Sequence, residues 1–509
     1  MKKVWRVFFF LWLVLGLSGC QLELDDLSPD QVFVGQTNPN GKVVIGLAGD
    51  IDSLNPLTNL DRTLSFISPL LYAPLNQVDP QTALLNPGMA TTNISTDEKI
   101  LQLTFLRESW LQDAQASIEN ATWPSFVNIQ AVRKNSNNQL RVEMKEIDCF
   151  FADRLVQLPI LTSETVLDRV PQGYGPFMVE FWDEEAGLLE LIPNPLSIQK
   201  QPKLAGITIR IFASTTMAEA ALQAGEIDLL PFAAPLQSPP EDMQRLDYLA
   251  PQRILFLMNT SDPVLEAVSV RQALRLAIDR KSLVAGGLQK EAILMTGMLP
   301  ANHWAAANEM PPSDYDPEQA KRLLDEQDII DRDGDGWRDL SGGETWYLPI
   351  RVQNNEEAQT ALAFILADAF QQVGIQARAE LVPQFAVLDD LITYDYQTAV
   401  YAFGVFPTLD ERPFWHSAYI DTDFGLNLTR YQSPDIDRWL DEANRLPGCD
   451  MDQRKQTYRQ IEQQLLLDNP VFFLTIPQQA LIHRNTIQGL LPGPFAPLTW
   501  NSQQWSVSP

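Results

Sequence analysis

The chain has 509 residues, 45% of them apolar, which suffices for a large core and a length of two or three lobes. It carries 65 Asp and Glu against 37 Lys and Arg, a formal charge of −28 that argues against nucleic acid as a partner. Three cysteines are too few for a disulfide scaffold, the three histidines (His303, His416, His483) are not at metal-ligand spacing, and there is no Cys-x-x-Cys, Gly-x-Ser-x-Gly, P-loop or Gly-x-Gly-x-x-Gly.

The N-terminus opens with Lys2, Lys3 and Arg6, an apolar stretch from Val7 to Leu17, and Leu17-Ser18-Gly19-Cys20. The stretch is shorter than the roughly 20 residues of a permanent membrane helix, so residues 1–19 read as a cleaved secretory signal peptide. The four residues resemble a lipobox, which makes Cys20 the acylated first residue of a lipoprotein, held on a membrane by its acyl chains. Loss of Lys2, Lys3 and Arg6 takes the charge from −28 to −31, which keeps the protein soluble and off anionic headgroups. Residues 20–40 mix acids, Pro, Gly and Asn without periodicity, as a tether does.

Lys42 to Leu47 is the first strand, running into a turn-rich loop that Pro56 closes. Ile100 to Leu106, Gln139 to Met144 and Leu204 to Phe212 alternate as half-buried strands. A helix runs from Thr216 to Gln223 and stops at Gly225. Tyr248 to Asn259 reads as one long strand, and Val270 to Val284 as one helix burying Ala273, Leu274, Ala277 and Ile278. Asp316 caps a helix to about Glu326, and another spans Glu356 to Val373, followed by a strand from Ile375. Ser433 and Asp450 open two more helices, and Val471 to Ile476 is a buried strand. This mixture over this length indicates α/β lobes with mixed sheets.

Several segments in this order resemble the extracellular solute-binding protein family 5, the dipeptide-, oligopeptide- and nickel-binding proteins of ABC importers. They include Asp52-Ser53-Leu54-Asn55-Pro56, Leu71-Tyr72-Ala73-Pro74-Leu75, Gly173-Tyr174-Gly175-Pro176-Phe177 and Ala224-Gly225-Glu226-Ile227-Asp228. Met258-Asn259-Thr260, Val270-Arg271-Gln272-Ala273-Leu274, Trp415-His416-Ser417 and Ser433-Pro434-Asp435-Ile436-Asp437 continue the series. Each segment read alone is a packing or turn motif; their order carries the resemblance. It implies an α/β bilobal clamp of the class II periplasmic-binding-protein type, with mixed sheets and a hinge between lobes. Lobe 1 is expected over residues 41–256 with a shortened outer subdomain, lobe 2 over 257–477, and a C-terminal return to lobe 1 over 478–509. Crossings are expected near Phe256 to Asn259 and near Thr475 to Gln478.

The resemblance also frames the site. The family's peptide binders place an acid near Val405 and Phe406 to pair with a free amine, and this chain has none there, so Asp410 or Glu411 is the candidate replacement. Leu54, Tyr401, Phe403, Gly404, Val405, Phe406, Asp410 and Trp415 are the candidate ligand contacts, the aromatics as an apolar or stacking floor. Asp331, Asp333 and Asp335, with Asp339 further on, match the start of a calcium loop. Gly342 replaces its bidentate acid, so an acidic hairpin turn is the alternative, and no other cofactor is expected. With Cys149 and Cys449 placed in different lobes, a bond between them would stop the lobes moving, so two unpaired thiols are expected.

The expected function is a non-catalytic, monomeric, lipid-anchored receptor on the extracytoplasmic face. It captures a solute, a peptide foremost, and hands it to an ABC permease with its ATPases. The alternatives are a surface sensor without a transporter, a binder of a sugar or metal chelate, and an extracellular hydrolase.

Overall fold

The computed structural model describes residues 41–508 except 59–61, 96–98, 124–125, 137, 234–238, 286–291, 307–314, 405–408 and 423–424. The signal peptide, Cys20 and the tether lie outside the described residues, as do Val405 and Phe406.

In chain order the elements that position the site begin with β1 (Lys42–Ala48) and α1 (Arg62–Leu71). Then come β2 (Ala90–Ser95), β3 (Ile100–Phe105), α2 (Trp110–Asn120), β4 (Ile129–Ser136), β5 (Gln139–Met144) and the short α3 (Phe151–Arg154). The first half continues with β6 (Phe177–Asp183), β7 (Leu188–Pro193), β8 (Gly206–Phe212), α4 (Thr215–Gln223), β9 (Leu229–Ala233) and β10 (Met243–Leu249). The second half holds β11 (Gln252–Met258), α5 (Val268–Leu276), β12 (Ala292–Leu294), α6 (Pro317–Glu326), β13 (Tyr347–Gln353), α7 (Glu357–Gln371) and β14 (Gln376–Val382). It closes with α8 (Gln384–Thr393), β15 (Thr398–Gly404), α9 (Arg412–Trp415), α10 (Pro434–Asn444), α11 (Met451–Asp468) and the long β16 (Val471–Arg484).

Among the described residues twelve strands join in one mixed sheet along the path β6-β7-β8-β1-β9-β16-β11-β15-β13-β14, with β10 and β12 also paired to β16. β16 is the shared element. Its first part pairs with β11 and β12, from Val471 against Leu257 to Pro477 against Ala292. Its second part pairs with β10 and β9, from Gln478 against Leu249 to His483 against Leu229. The strand read from Tyr248 to Asn259 is therefore two strands, broken at Ala250-Pro251, where proline cannot donate to a ladder. β2–β5 form a separate antiparallel sheet backed by α2.

The helix expected over Val270 to Val284 is also two. Asp279 caps a new helix by accepting from the Lys281 N–H at 3.0 Å, so α5 ends at Leu276, although Ala273, Leu274, Ala277 and Ile278 are all buried as expected. Other ends follow their capping residues. Asp316 accepts from the Gln319 N–H at 2.8 Å, and Asp450 from that of Gln453 at 2.8 Å.

Apolar side chains gather in separate clusters. One runs from Val43 to Leu229 and returns at Ile487 and Trp505; two others are built from residues 254–476. The exception is Phe150, which packs with Leu257, Tyr458 and Phe473, while its neighbour Phe151 packs in the first cluster. Residues 148–154 thus thread between cores of both halves.

Candidate ligand-binding cleft

The site follows from strand direction. β1, β8 and β9 are parallel, and β9 runs antiparallel to the second part of β16 with Ala233 opposite Ala480. Their C-terminal ends therefore point toward the changeover at Pro477. On the other side β13, β14 and β15 are parallel, and Gly404 at the end of β15 pairs with Gln252, immediately past Ala250-Pro251. Their C-terminal ends point to the same seam from the opposite half. Ligands of α/β sheets bind outside the C-terminal ends of strands, and here two such edges face one another.

Arg62, the first residue of α1, stands on the first wall with its guanidinium 4.2 Å from the centre of the Phe232 ring. Phe232 lies in β9 at a break in register between Leu230 and Ala233, with φ of +58°. A left-handed backbone at a bulky residue costs about 1–2 kcal/mol, and the edge-on ring of Phe66 at 6.0 Å helps hold it. Behind it the Tyr248 hydroxyl donates to Gln479 Oε1 on β16 at 3.0 Å, and burial pushes its pKa up while the Arg62 charge lowers it. From the second wall Glu356, just before α7, answers Arg62. Glu356 is exposed; loss of hydration raises its pKa and the Arg62 charge lowers it. Neither Arg62 nor Glu356 has a salt-bridge partner among the described residues. At the end of β13, the buried Gln353 has an Oε1 with no hydrogen-bond partner among them.

The candidates named from sequence fall in different places. Tyr401, Phe403 and Gly404 lie on the last turn of β15 toward the seam; the Tyr401 and Phe403 rings meet edge to face at 5.2 Å, and Phe403 meets Phe414 at 5.7 Å. Burial raises the Tyr401 pKa. Leu54 is fully buried in the first core, where its carbonyl accepts from the Tyr72 hydroxyl at 2.7 Å. Trp415 is buried against Phe473 and donates from Nε1 to Glu411 at 2.9 Å. Asp410 accepts from Arg154 Nη1 at 2.7 Å and from Arg412 Nε and Nη2, each at 2.8 Å. Burial pushes its carboxyl up, but the hydrogen bonds and charges of Arg412 and the charge of Arg154 prevail and hold it below the usual range.

Those contacts belong to a charge-matched junction beside the seam. Arg154 also pairs with Asp148, Arg253 donates to Glu411 at 2.9 Å, and Arg454 donates to Asp153 at 2.6 Å. Four arginines thus face four carboxylates, all largely buried, where an unpaired member would cost several kcal/mol. Both Asp410 and Glu411 spend their oxygens on this network.

The expectation of two unpaired thiols is overturned: Cys149 and Cys449 form a disulfide with a Cα–Cα distance of 5.2 Å. The path of the chain around Cys149 accounts for the bond. Cys149 sits in the segment that threads into the second half, where its N–H donates to the Asn444 carbonyl at 3.0 Å.

Asp331, Asp333 and Asp335 do come together, exposed, with one carboxylate oxygen from each lying within 4.8 Å of the others. Their oxygens also close the turn, accepting from the N–H groups of Gly334, Gly336, Asp335 and Trp337. Asp339 is buried apart from them and accepts from the Arg332 N–H at 2.8 Å. The hairpin they close is bridged from Ile330 to Asp339 and on to Thr345, as in the acidic-turn alternative.

A profile of the bacterial extracellular solute-binding proteins, family 5 (middle region), matches residues 104–425. The chain belongs to this family. The oligopeptide-binding protein AppA of Bacillus subtilis is 21% identical over 531 residues, 97% of this chain and 96% of the relative. Its structure in complex with a nonapeptide superposes with a TM-score of 0.71 at 20% identity over 92% of this chain and 99% of that one. NikZ from Campylobacter jejuni in complex with Ni(L-His) gives 0.75 at 21% identity, over 91% and 99%. The ABC transporter substrate-binding protein CtaP of Listeria monocytogenes gives 0.77 at 18%, over 92% and 99%. The expected α/β clamp is the fold found, and the chain is by family a non-enzymatic extracellular solute-binding protein. Its relatives are extracytoplasmic, and no helix among the described residues is long and apolar enough to cross a membrane.

Sequence reasoning missed Arg62, Phe232, Gln353 and Glu356. Nothing local marks them: a basic residue opens one helix, an acid precedes another, and the left-handed φ of Phe232 has no glycine or asparagine to announce it.

Proposed function

We propose that this chain is the substrate-binding subunit of an ABC importer, anchored through acylated Cys20 to the outer face of the cell membrane, and that it captures peptides as a monomer by closing its two halves on the seam. The observation that carries this reading is the convergence of two sets of parallel-strand C-termini, one from each half, on a strip walled by Arg62 and Phe232 on one side and Glu356 on the other. Tyr401 and Phe403 supply aromatic surface next to it. AppA, similar over nearly its whole length, is an oligopeptide-binding protein, which favours a peptide over a sugar or a metal chelate.

The halves divide at Ala250-Pro251 and at Pro477, and they rotate about the disulfide-clasped junction, so closure is the signal a permease reads. Native mass spectrometry of the protein purified from its own membranes tests the reading. A co-purifying peptide and an N-terminal diacylglyceryl cysteine are expected. A sugar or metal chelate as the bound species refutes peptide capture, and an unmodified Cys20 refutes the anchor.

A further inference from the structure

The two halves repeat one three-strand unit. β8-β1-β9 lie side by side in the first and β14-β13-β15 in the second, and in each the second strand in chain order reaches the third through a helix that crosses the first. Those helices are α4, packed on β1, and α8, packed on β13. Each starts within three residues of a strand end that points to the seam, after Phe212 and after Val382. β16 shows that they share a face of the sheet. Ile476 belongs to the cluster that buries Val387 and Leu391 of α8. Ala480 and Ile482, an even number of residues further along the same strand, belong to the cluster that buries Ala218 and Leu222 of α4.

Both helices also turn apolar side chains to solvent on that face. Phe385 in the first turn of α8 is 76% exposed, and Leu388 and Ile392 continue its stripe at helical spacing, away from the buried Val387 and Leu391. In the first turn of α4, Met217 is 54% exposed next to buried Ala218. Packing a helix on its sheet needs one apolar face, so a second one calls for another partner. The surroundings are acidic: no Lys or Arg occurs at positions 211–244 or 379–411, Asp389 and Asp395 are exposed, and Glu219 follows Met217 by two residues. That rim repels a second copy of this chain, anionic headgroups, and residues 21–40, which hold Glu23, Asp25, Asp26 and Asp30 and no Lys or Arg. The stripe also offers only roughly a few hundred Å2, against the roughly 800 Å2 per partner of a stable complex, as suits a contact that forms and releases.

We propose that the outer faces of α4 and α8 form one docking surface, a patch on each half, for an apolar hollow ringed by Lys and Arg on the outer side of a membrane-embedded transport subunit. The inference rests on the importer reading above and deepens it, by naming where the permease touches this chain. Met217 and Phe385 belong to different halves, so rotation of the halves changes the spacing between the patches. A rigid partner engages both at one spacing only, and docking therefore favours one arrangement of the halves. Acids on this side and bases on the other speed the encounter and exclude partners of the wrong charge.

The test begins with the tightest binder selected from a synthetic library of two- to nine-residue peptides by thermal shift of the purified mature protein. Its radiolabelled form is then supplied below saturation to cells that lack this chain and to cells given back the full-length wild type or a variant. Phe385→Ser and Met217→Ser are each expected to lower uptake about tenfold or more, the worth of a buried large apolar side chain, and Asp389→Lys about threefold. Phe364→Ser is expected to leave uptake unchanged. Phe364 is 51% exposed on α7, whose Leu362 and Leu366 pack in a different cluster from the buried side of α8. Calorimetry is expected to give all four purified variants the wild-type peptide affinity within about twofold. Wild-type uptake by Phe385→Ser or by Met217→Ser overturns the docking surface and leaves the importer reading standing. Affinity that falls with uptake overturns it in favour of a ligand contact, and a wild-type dimer that Phe385→Ser dissociates in the ultracentrifuge overturns it in favour of a second copy. Uptake that does not depend on this chain overturns both readings.

Discussion

The Cys149–Cys449 bond gives a sharp prediction because it closes a loop of 300 residues through both halves. The chain-entropy relation puts the cost to the unfolded state of such a closure at about 5–6 kcal/mol, and measured losses on removing native disulfides are about 2–5 kcal/mol. A described fold of this size has an unfolding entropy near 1 kcal/mol per degree, so the Cys149→Ser, Cys449→Ser double variant is expected to melt about 2–5 °C below the wild type. Calorimetry of the oxidised wild type, the dithiothreitol-treated wild type and the double variant measures this. The last two are expected to coincide. If the halves rotate about the junction that the bond clasps, as proposed, ligand affinity is expected to stay within about threefold while stability falls. Alkylation of two thiols in the unreduced, denatured wild type would refute the pairing; equal melting temperatures would refute the entropy argument. A tenfold or larger change in affinity would refute the pivot.

Arg154→Leu leaves the buried Asp148 and Asp410 facing each other without their shared cation and is expected to cost about 3–5 kcal/mol in a urea unfolding titration; a loss below 1 kcal/mol would show that water or Arg412 takes over. Gly175→Ala drives a Cβ to 2.3 Å from the Leu71 carbonyl carbon and 2.4 Å from the Tyr72 nitrogen, both backbone, so a loss of at least ~2 kcal/mol or failure to accumulate is expected, against wild-type expression if the helix end can shift. Burial lowers the pKa of His483 below its ordinary 6.5, against the hydrogen bond to the Arg484 carbonyl. The folded state therefore binds its proton less readily than the unfolded one, so its contribution is present above about pH 6.5 and is lost as pH falls from there toward the folded pKa. Melting temperatures from pH 8 to 5 should fall less steeply for His483→Gln than for the wild type; parallel curves would remove His483 from the account.

Strand and helix identity was legible wherever one period governs a segment. Ile207, Ile209 and Ile211 alternate and lie in β8, and Ser433 and Asp450 mark the starts of α10 and α11 because a side-chain oxygen must take an orphan N–H. Extended character misled where it ran through a boundary: both sides of Ala250-Pro251 are strand, but among the described residues β10 pairs only with the second part of β16 while β11 pairs with its first part and with β15, and hydropathy does not record which partner a strand takes. The disulfide was illegible for a related reason. Cys149-Phe150-Phe151 reads as one buried run, but its consecutive phenylalanines enter different cores, and only that threading brings Cys149 to Cys449.

The distribution of charge ties these points to the proposed capture. At the junction every buried cation has its carboxylate, so rotation there exposes no unpaired charge and the network can persist in open and closed forms alike. At the seam the opposite holds: Arg62 and Glu356 are solvated while the halves stand apart and would lose that solvation on closing. An empty protein then has little reason to close, because two desolvated groups held apart gain less from each other than they lose from water. Any ligand that offers these groups partners would offset that loss, and the same desolvation that opposes empty closure would strengthen such contacts once the ligand is inside.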